Sequence, residues 1–154
     1  MPTGPTARLA ELGVALPPVP TPKGTYVPAV ISGKFAYVSG QIVFEDGKIV
    51  APGKVDAEVS LDLAKDLARR ATLQALSALA GALGSLDRVT RVVRVGVFVA
   101  SSPGFVRQHE VANGATDFLV EVFGEAGRPA RTSVGVTALP LDAPIEVDLV
   151  VAVE

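Results

Sequence analysis

The chain has 154 residues, of which 49% are apolar and 19% charged, with a formal net charge of −2 and no cysteine. That length suits one domain able to bury most of its apolar surface, and the missing thiols exclude disulfides, thiolate catalysis and cysteine-ligated zinc. The slightly acidic balance offers no overall field for a phosphate backbone, and the charged fraction falls below the roughly 25% of ordinary soluble domains.

A shortage of surface charge points to surface covered by further copies of the chain. We read residues 1–154 as a single domain, with 1–23 forming a short helix and a proline-rich arm. Residues 6–13, TARLAELG, suit the helix, and prolines 17, 18, 20 and 22 prevent it from continuing. The start lacks the apolar core of a signal peptide, and no window reaches the roughly 18 apolar residues of a membrane span. The expected location is cytoplasmic, with no membrane partner.

Tyr26–Ile31 reads as a first strand, Ser32-Gly33-Lys34 as a turn, and Phe35–Ile42 as a second strand. Asp46-Gly47 marks a tight hairpin leading to a short third strand at Lys48–Val50. Ser60 is a good N-cap. Beyond it Ala64, Leu67, Ala68, Ala71, Ala75, Leu76, Leu79 and Leu83 recur at spacings of three and four, one apolar stripe that ends at Gly84. Arg88–Ala100 is β-branched throughout. Alternation puts Val93, Val95, Val97 and Val99 on one face and Val92, Arg94, Gly96 and Phe98 on the other, as in a central strand. A second helix follows, from Phe105 or Gln108 to Phe123, burying Val111, Ala115, Phe118, Leu119 and Val122. Arg131–Leu139 and Pro144–Val153 are the last strands.

The order predicts an α+β fold: a mixed sheet, with parallel strands joined by crossovers and two helices packed on one face. No third long helix remains for the sheet's other apolar face, so that face must meet a neighbouring subunit. Pro140–Ala143 is too short for a parallel crossover, which makes the last two strands antiparallel. Each opens on a charge, Arg131 in one and Glu146 in the other. At about 3.3 Å per residue, a strand's length places them at opposite ends of the sheet, roughly 25 Å apart. If they cooperate, they do so across a subunit boundary. Thr132 and Ser133 add hydroxyl donors beside Arg131, and Asp148 shares the face of Glu146.

The segments FAYVSGQI, EDGK, GSLDRVTRVVRVGVFVAS, PARTSVGVTALP and IEVDLV resemble, in order and spacing, the RidA (YjgF) family of reactive-intermediate deaminases. The likeness spans about residues 24–153, and the N-terminal arm is similar to a longer branch of that family. The resemblance implies a chorismate-mutase-like fold assembled as a homotrimer, with sites in the clefts between subunits. It implies that Arg131 grips a substrate carboxylate and Glu146 places a water. It further implies that Tyr26 borders the cleft and backbone at Ser39-Gly40 closes it. The implied activity is hydrolysis of 2-imino or enamine acids, such as 2-iminobutanoate, to 2-keto acids and ammonia, with no metal or organic cofactor. Ser133 stands where the short deaminases often carry cysteine. Asn113 falls about a turn from the asparagine of their clefts and is assigned no role.

Other readings are an endoribonuclease or translation inhibitor, and a non-catalytic trimer that binds small carboxylates. His109 is the single histidine, which excludes a multi-histidine metal site and weakens a nuclease mechanism. Arg69, Arg70, Arg88, Arg91 and Arg94 lack clustered aromatics and read as solvated or ion-paired rather than as a nucleic-acid surface.

Overall fold

A computed structural model describes residues 3–154. Helix α1 (Pro5–Glu11) and the arm are followed by strands β1 (Ala29–Ser32), β2 (Phe35–Gln41), β3 (Phe44–Glu45) and β4 (Lys48–Ile49). Helix α2 (Leu61–Leu83), β5 (Val89–Ala100), α3 (Gln108–Phe123), β6 (Ala130–Val136) and β7 (Ile145–Val153) complete the chain. The main sheet has the order β1-β2-β7-β5-β6. Strand β6 runs parallel to β5, and the other neighbours are antiparallel. The fold is therefore mixed α+β, with α2 and α3 packed together over one face of the sheet.

Local chemistry explains the long elements. Ser60 Oγ accepts the Leu63 N–H at 3.1 Å and starts α2, while Gly84 at φ 84 takes the left-handed cap that ends it. The expected stripes of α2 and α3 are buried. Where the two helices meet, Gly114 of α3 lies so near the Lys65 carbonyl of α2 that no side chain fits. Val95, Val97, Val99, Val147, Leu149 and Val151 form the sheet's contribution to this core.

Four expectations need correction. The first strand begins at Ala29, because Pro28 cannot donate to a ladder and the Tyr26 N–H is taken by Gly24 O in a turn. The Asp46-Gly47 hairpin forms a separate two-stranded sheet. Register shifts in β5 between Val89 and Arg91 and between Val92 and Arg94 break simple alternation. They turn Val92 into the core with Val95, and leave Val93 half-buried.

The fourth correction concerns Arg131 and Glu146. Arg131 lies level with Val95 of β5 and Glu146 with Phe98, because β6 pairs only with the second half of β5 and overlaps the start of β7. Three positions along and two strands across separate their backbones by about 14 Å rather than 25 Å. They nevertheless face opposite ways. Val95 points into the helical core, whereas Phe98 belongs to the uncovered face. That uncovered face carries Val30, Phe35, Tyr37 and Val134, all exposed.

Gly114→Ala should lower stability by about 2 kcal/mol or more through overpacking, despite the ~1 kcal/mol that alanine adds to helix propensity. A urea titration would show this as a lower midpoint at unchanged slope. An unchanged midpoint would mean that the two helices can separate without cost.

Candidate active site

Glu146 is the second residue of β7, and its position is set by a glycine beside it. The β2–β7 ladder is irregular between Val38 and Gln41. Gly40 lies there, and a Cβ on it would sit 2.7 Å from Glu146 Cδ and 3.0 Å from Oε1. Any other residue there would push this carboxyl group aside. Next to it, Ser39 holds the segment behind Tyr26: its Oγ donates to Val27 O at 2.7 Å and its N–H to Pro28 O at 2.9 Å. Tyr26, Gly40 and Glu146 thereby line one cleft of about 680 Å³, walled on its far side by the proline arm. Ser39 supports this cleft from behind.

Glu146 has no hydrogen-bond or ion-pair partner among the described residues. Partial burial pushes its carboxyl above the ordinary glutamate range, and the nearby Asp148 carboxylate pushes it the same way. Asp148 is also raised by burial, but Arg94, 3.9 Å away, and the Gly96 N–H oppose the rise. Gly96 allows the approach, since a Cβ there would collide with Asp148 Oδ1. Of the two, Asp148 has the compensating charge and Glu146 does not.

Arg131 belongs to a different place. It stands exposed on β6, an edge strand of the sheet, and leans toward the helices. Its Nη1 donates to Asn113 Oδ1 at 2.8 Å and Thr116 Oγ1 at 3.2 Å, both from α3. No carboxylate pairs with it among the described residues, and both recorded bonds use Nη1 alone. The rest of the guanidinium fork stays available for a planar anion. Thr132 turns to the opposite face, where its Oγ1 accepts from Arg94 Nη2 at 2.9 Å. Ser133, half-buried, lies level with Val97.

One chain therefore brings Tyr26, Ser39, Gly40 and Glu146 together and keeps Arg131, Thr132 and Ser133 apart from them. Asn113, given no role from the sequence, is a direct partner of Arg131, and Thr116 was missed. Their spacing of three on α3, outside the stripe of Val111, Ala115 and Phe118, was the available signal. The arm's place in the cleft wall gave no sequence signal. Among the described residues there is no cluster of metal-binding side chains and no helix long and apolar enough to cross a membrane.

Residues 6–153 match the family described as "YjgF/chorismate_mutase-like, putative endoribonuclease". The chain is 45% identical over 146 residues to Protein TCP17 of Trypanosoma cruzi, covering 94% of this chain and 91% of that one. The crystal structure of Atu1372 from Agrobacterium tumefaciens, a protein of unknown function, is 41% identical. It has a TM-score of 0.89 and covers 97% of this chain and 92% of its own. The structure of Escherichia coli TdcF with bound serine is 25% identical, with a TM-score of 0.61, covering 88% of this chain and 93% of its own.

Because the folded state raises the Glu146 pKa, its favourable contribution is full below the ordinary glutamate range. That contribution is lost as pH rises through the elevated value. Glu146→Gln should thus be more stable than the parent at about pH 7, with the difference vanishing near about pH 4. Urea midpoints at the two pH values check this. A variant less stable at neutral pH would mean that the carboxylate is well partnered.

Proposed function

Since this chain belongs to the YjgF/chorismate mutase-like family, we propose that it hydrolyses 2-imino or enamine acids to 2-keto acids and ammonia, in clefts that join Arg131 of one copy to Glu146 of the next. The observation that carries this reading is the Arg131 fork, pre-set by Asn113 and Thr116 on an exposed edge strand with no carboxylate of its own. A planar guanidinium with spare donors suits a substrate carboxylate better than a lysine would. Serine bound to the relative TdcF is a small carboxylate of the same kind.

The reaction needs few groups. An imine carbon already accepts water, so orientation and charge placement supply most of the acceleration. Water adds to the C=N carbon and one of its protons passes to nitrogen, giving a tetrahedral carbinolamine. Its hydroxyl proton then passes to nitrogen as well, the C–N bond breaks, and ammonia leaves behind the keto group. Glu146, with its pKa raised toward the working range, is suited to hold that water and carry the proton between oxygen and nitrogen. Neither step consumes an oxidant or a cofactor.

The assembly proposed is a homotrimer closed over the uncovered sheet face, where Phe35, Tyr37, Val30 and Val134 would be buried. Strand parity keeps Arg131 and Glu146 apart in one chain, and a neighbour supplies the missing half. The family description also names an endoribonuclease. Here the one histidine, His109, is exposed beside Glu110. Arg69, Arg70, Arg94, Arg107 and Arg128 each lie within ion-pair distance of a carboxylate of their own chain. That arrangement favours the imine reading over a phosphate-backbone surface.

Light scattering should give three times the 15.8 kDa of one chain. With 2-iminobutanoate generated in situ, the protein should accelerate release of ammonia and 2-ketobutyrate. Arg131→Ala should lower kcat/KM by about a hundredfold, the loss typical of one charge-stabilising donor, and Arg131→Lys should restore little of it. A monomeric mass, or an undiminished rate in Arg131→Ala, would sink the proposal.

A further inference from the structure

The cleft beside Glu146 is larger and more apolar than a short imino acid requires. Its volume of about 680 Å³ lies in the range that holds ligands of drug size, whereas a two- to four-carbon acid would fill only a corner. The walls are built to stay where they are. Ser77 of α2 donates to Pro17 O at 2.5 Å and ties down the arm. Val19 then rests on Gly81, where any Cβ would come within 2.9 Å of Val19 Cγ2. Prolines 17, 18, 20 and 22 fix the arm's φ angles, so it loses little further freedom when a ligand arrives.

Phe44 and Ile42 line the same cleft, as does Lys23, whose ammonium lies 5.1 Å from the centre of the Phe44 ring. The Gln74 amide is already committed to Gln41 Oε1 and Ile42 O. At the rim stands Leu141, which is 62% exposed at φ 58 and ψ 24. A leucine in left-handed backbone is uncommon and strained, and one that is also solvent-exposed gains nothing from the core. Leu141 is one of the residues lining the cleft that holds Glu146.

We infer that the arm and Leu141 form a side-chain pocket selecting 2-imino acids with a bulky apolar or aromatic substituent, as derived from leucine or phenylalanine, over short ones. The inference rests on the deaminase reading for its chemistry, and on the cleft alone for its shape. The carboxylate and imine would occupy the Glu146 end, leaving the substituent to run between the prolines and Phe44.

The test uses the full chain with imines released in situ from alanine, leucine and phenylalanine by an amino-acid oxidase. Wild type should show kcat/KM at least about tenfold higher for the phenylalanine-derived imine than for the alanine-derived one, the scale of a filled apolar pocket. Leu141→Asn should bring that ratio down about threefold or more. Asparagine accepts left-handed backbone readily, so this variant keeps its fold, as a thermal melt would verify. Equal handling of the two imines by wild type, or an unchanged ratio in the variant, overturns the pocket and leaves the deaminase reading intact. If no imine is turned over, the deaminase reading fails. Calorimetry with phenylpyruvate and pyruvate then decides the pocket: at least tenfold tighter binding of phenylpyruvate supports it, and equal or absent binding overturns it.

Discussion

A strand turns successive side chains to opposite faces, and this parity governs the candidate site. Arg131 shares the register of Val95 and Leu149, which point into the helical core, while Glu146 shares that of Phe98, which does not. No rotamer change can bring two such groups around a sheet that is otherwise intact. The same parity gathers Tyr37, Phe98, Val134 and Val150 on the face the helices leave uncovered. The residues that separate the charges within one chain thus provide the apolar surface on which another chain would restore the pair.

The carboxylates of β7 carry a cost to stability. Glu146 and Asp148 stand two apart on one side of β7, each partly removed from water. Glycines make this arrangement sterically feasible: Gly40 admits Glu146 and Gly96 admits Asp148. Arg94 and a backbone N–H then stabilise the charge on Asp148 alone. The resulting asymmetry favours the protonated form of the unpartnered group, the direction that the proposed proton transfer would use. A protein selected only for stability would replace Glu146 with a neutral residue.

Much of this was legible in the sequence where local rules act alone. Ser60 and Gly84 bounded α2 because capping is decided by a few neighbouring atoms. The valine run marked β5 as a strand inside the sheet, and it lies between β7 and β6. The charges opening β6 and β7 were legible as the two residues on which the proposed site depends. What failed depended on register: the shifts in β5 moved Val92 to the core face, and the overlap of β6 with β7 shortened the Arg131–Glu146 separation. Counting along α3 gives Asn113 no role, yet its bond to Arg131 depends on where α3 crosses β6. Such facts belong to packing between elements, and a linear pattern does not carry them.

The proline arm extends this argument from assembly to selectivity. A reaction that asks only for a held water and an anchored carboxylate leaves little chemistry with which to tell one imino acid from another, so discrimination must come from shape. Shape discriminates only when the wall resists deformation, and a flexible segment would adjust to every substituent. Here four prolines, the Ser77–Pro17 hydrogen bond and the seat of Val19 on Gly81 constrain a loop-like segment against the helix beneath it. The arm precedes every strand of the sheet, yet it builds the cleft's outer wall. A chain beginning near Tyr26 would retain Glu146 and Arg131 and lose this wall.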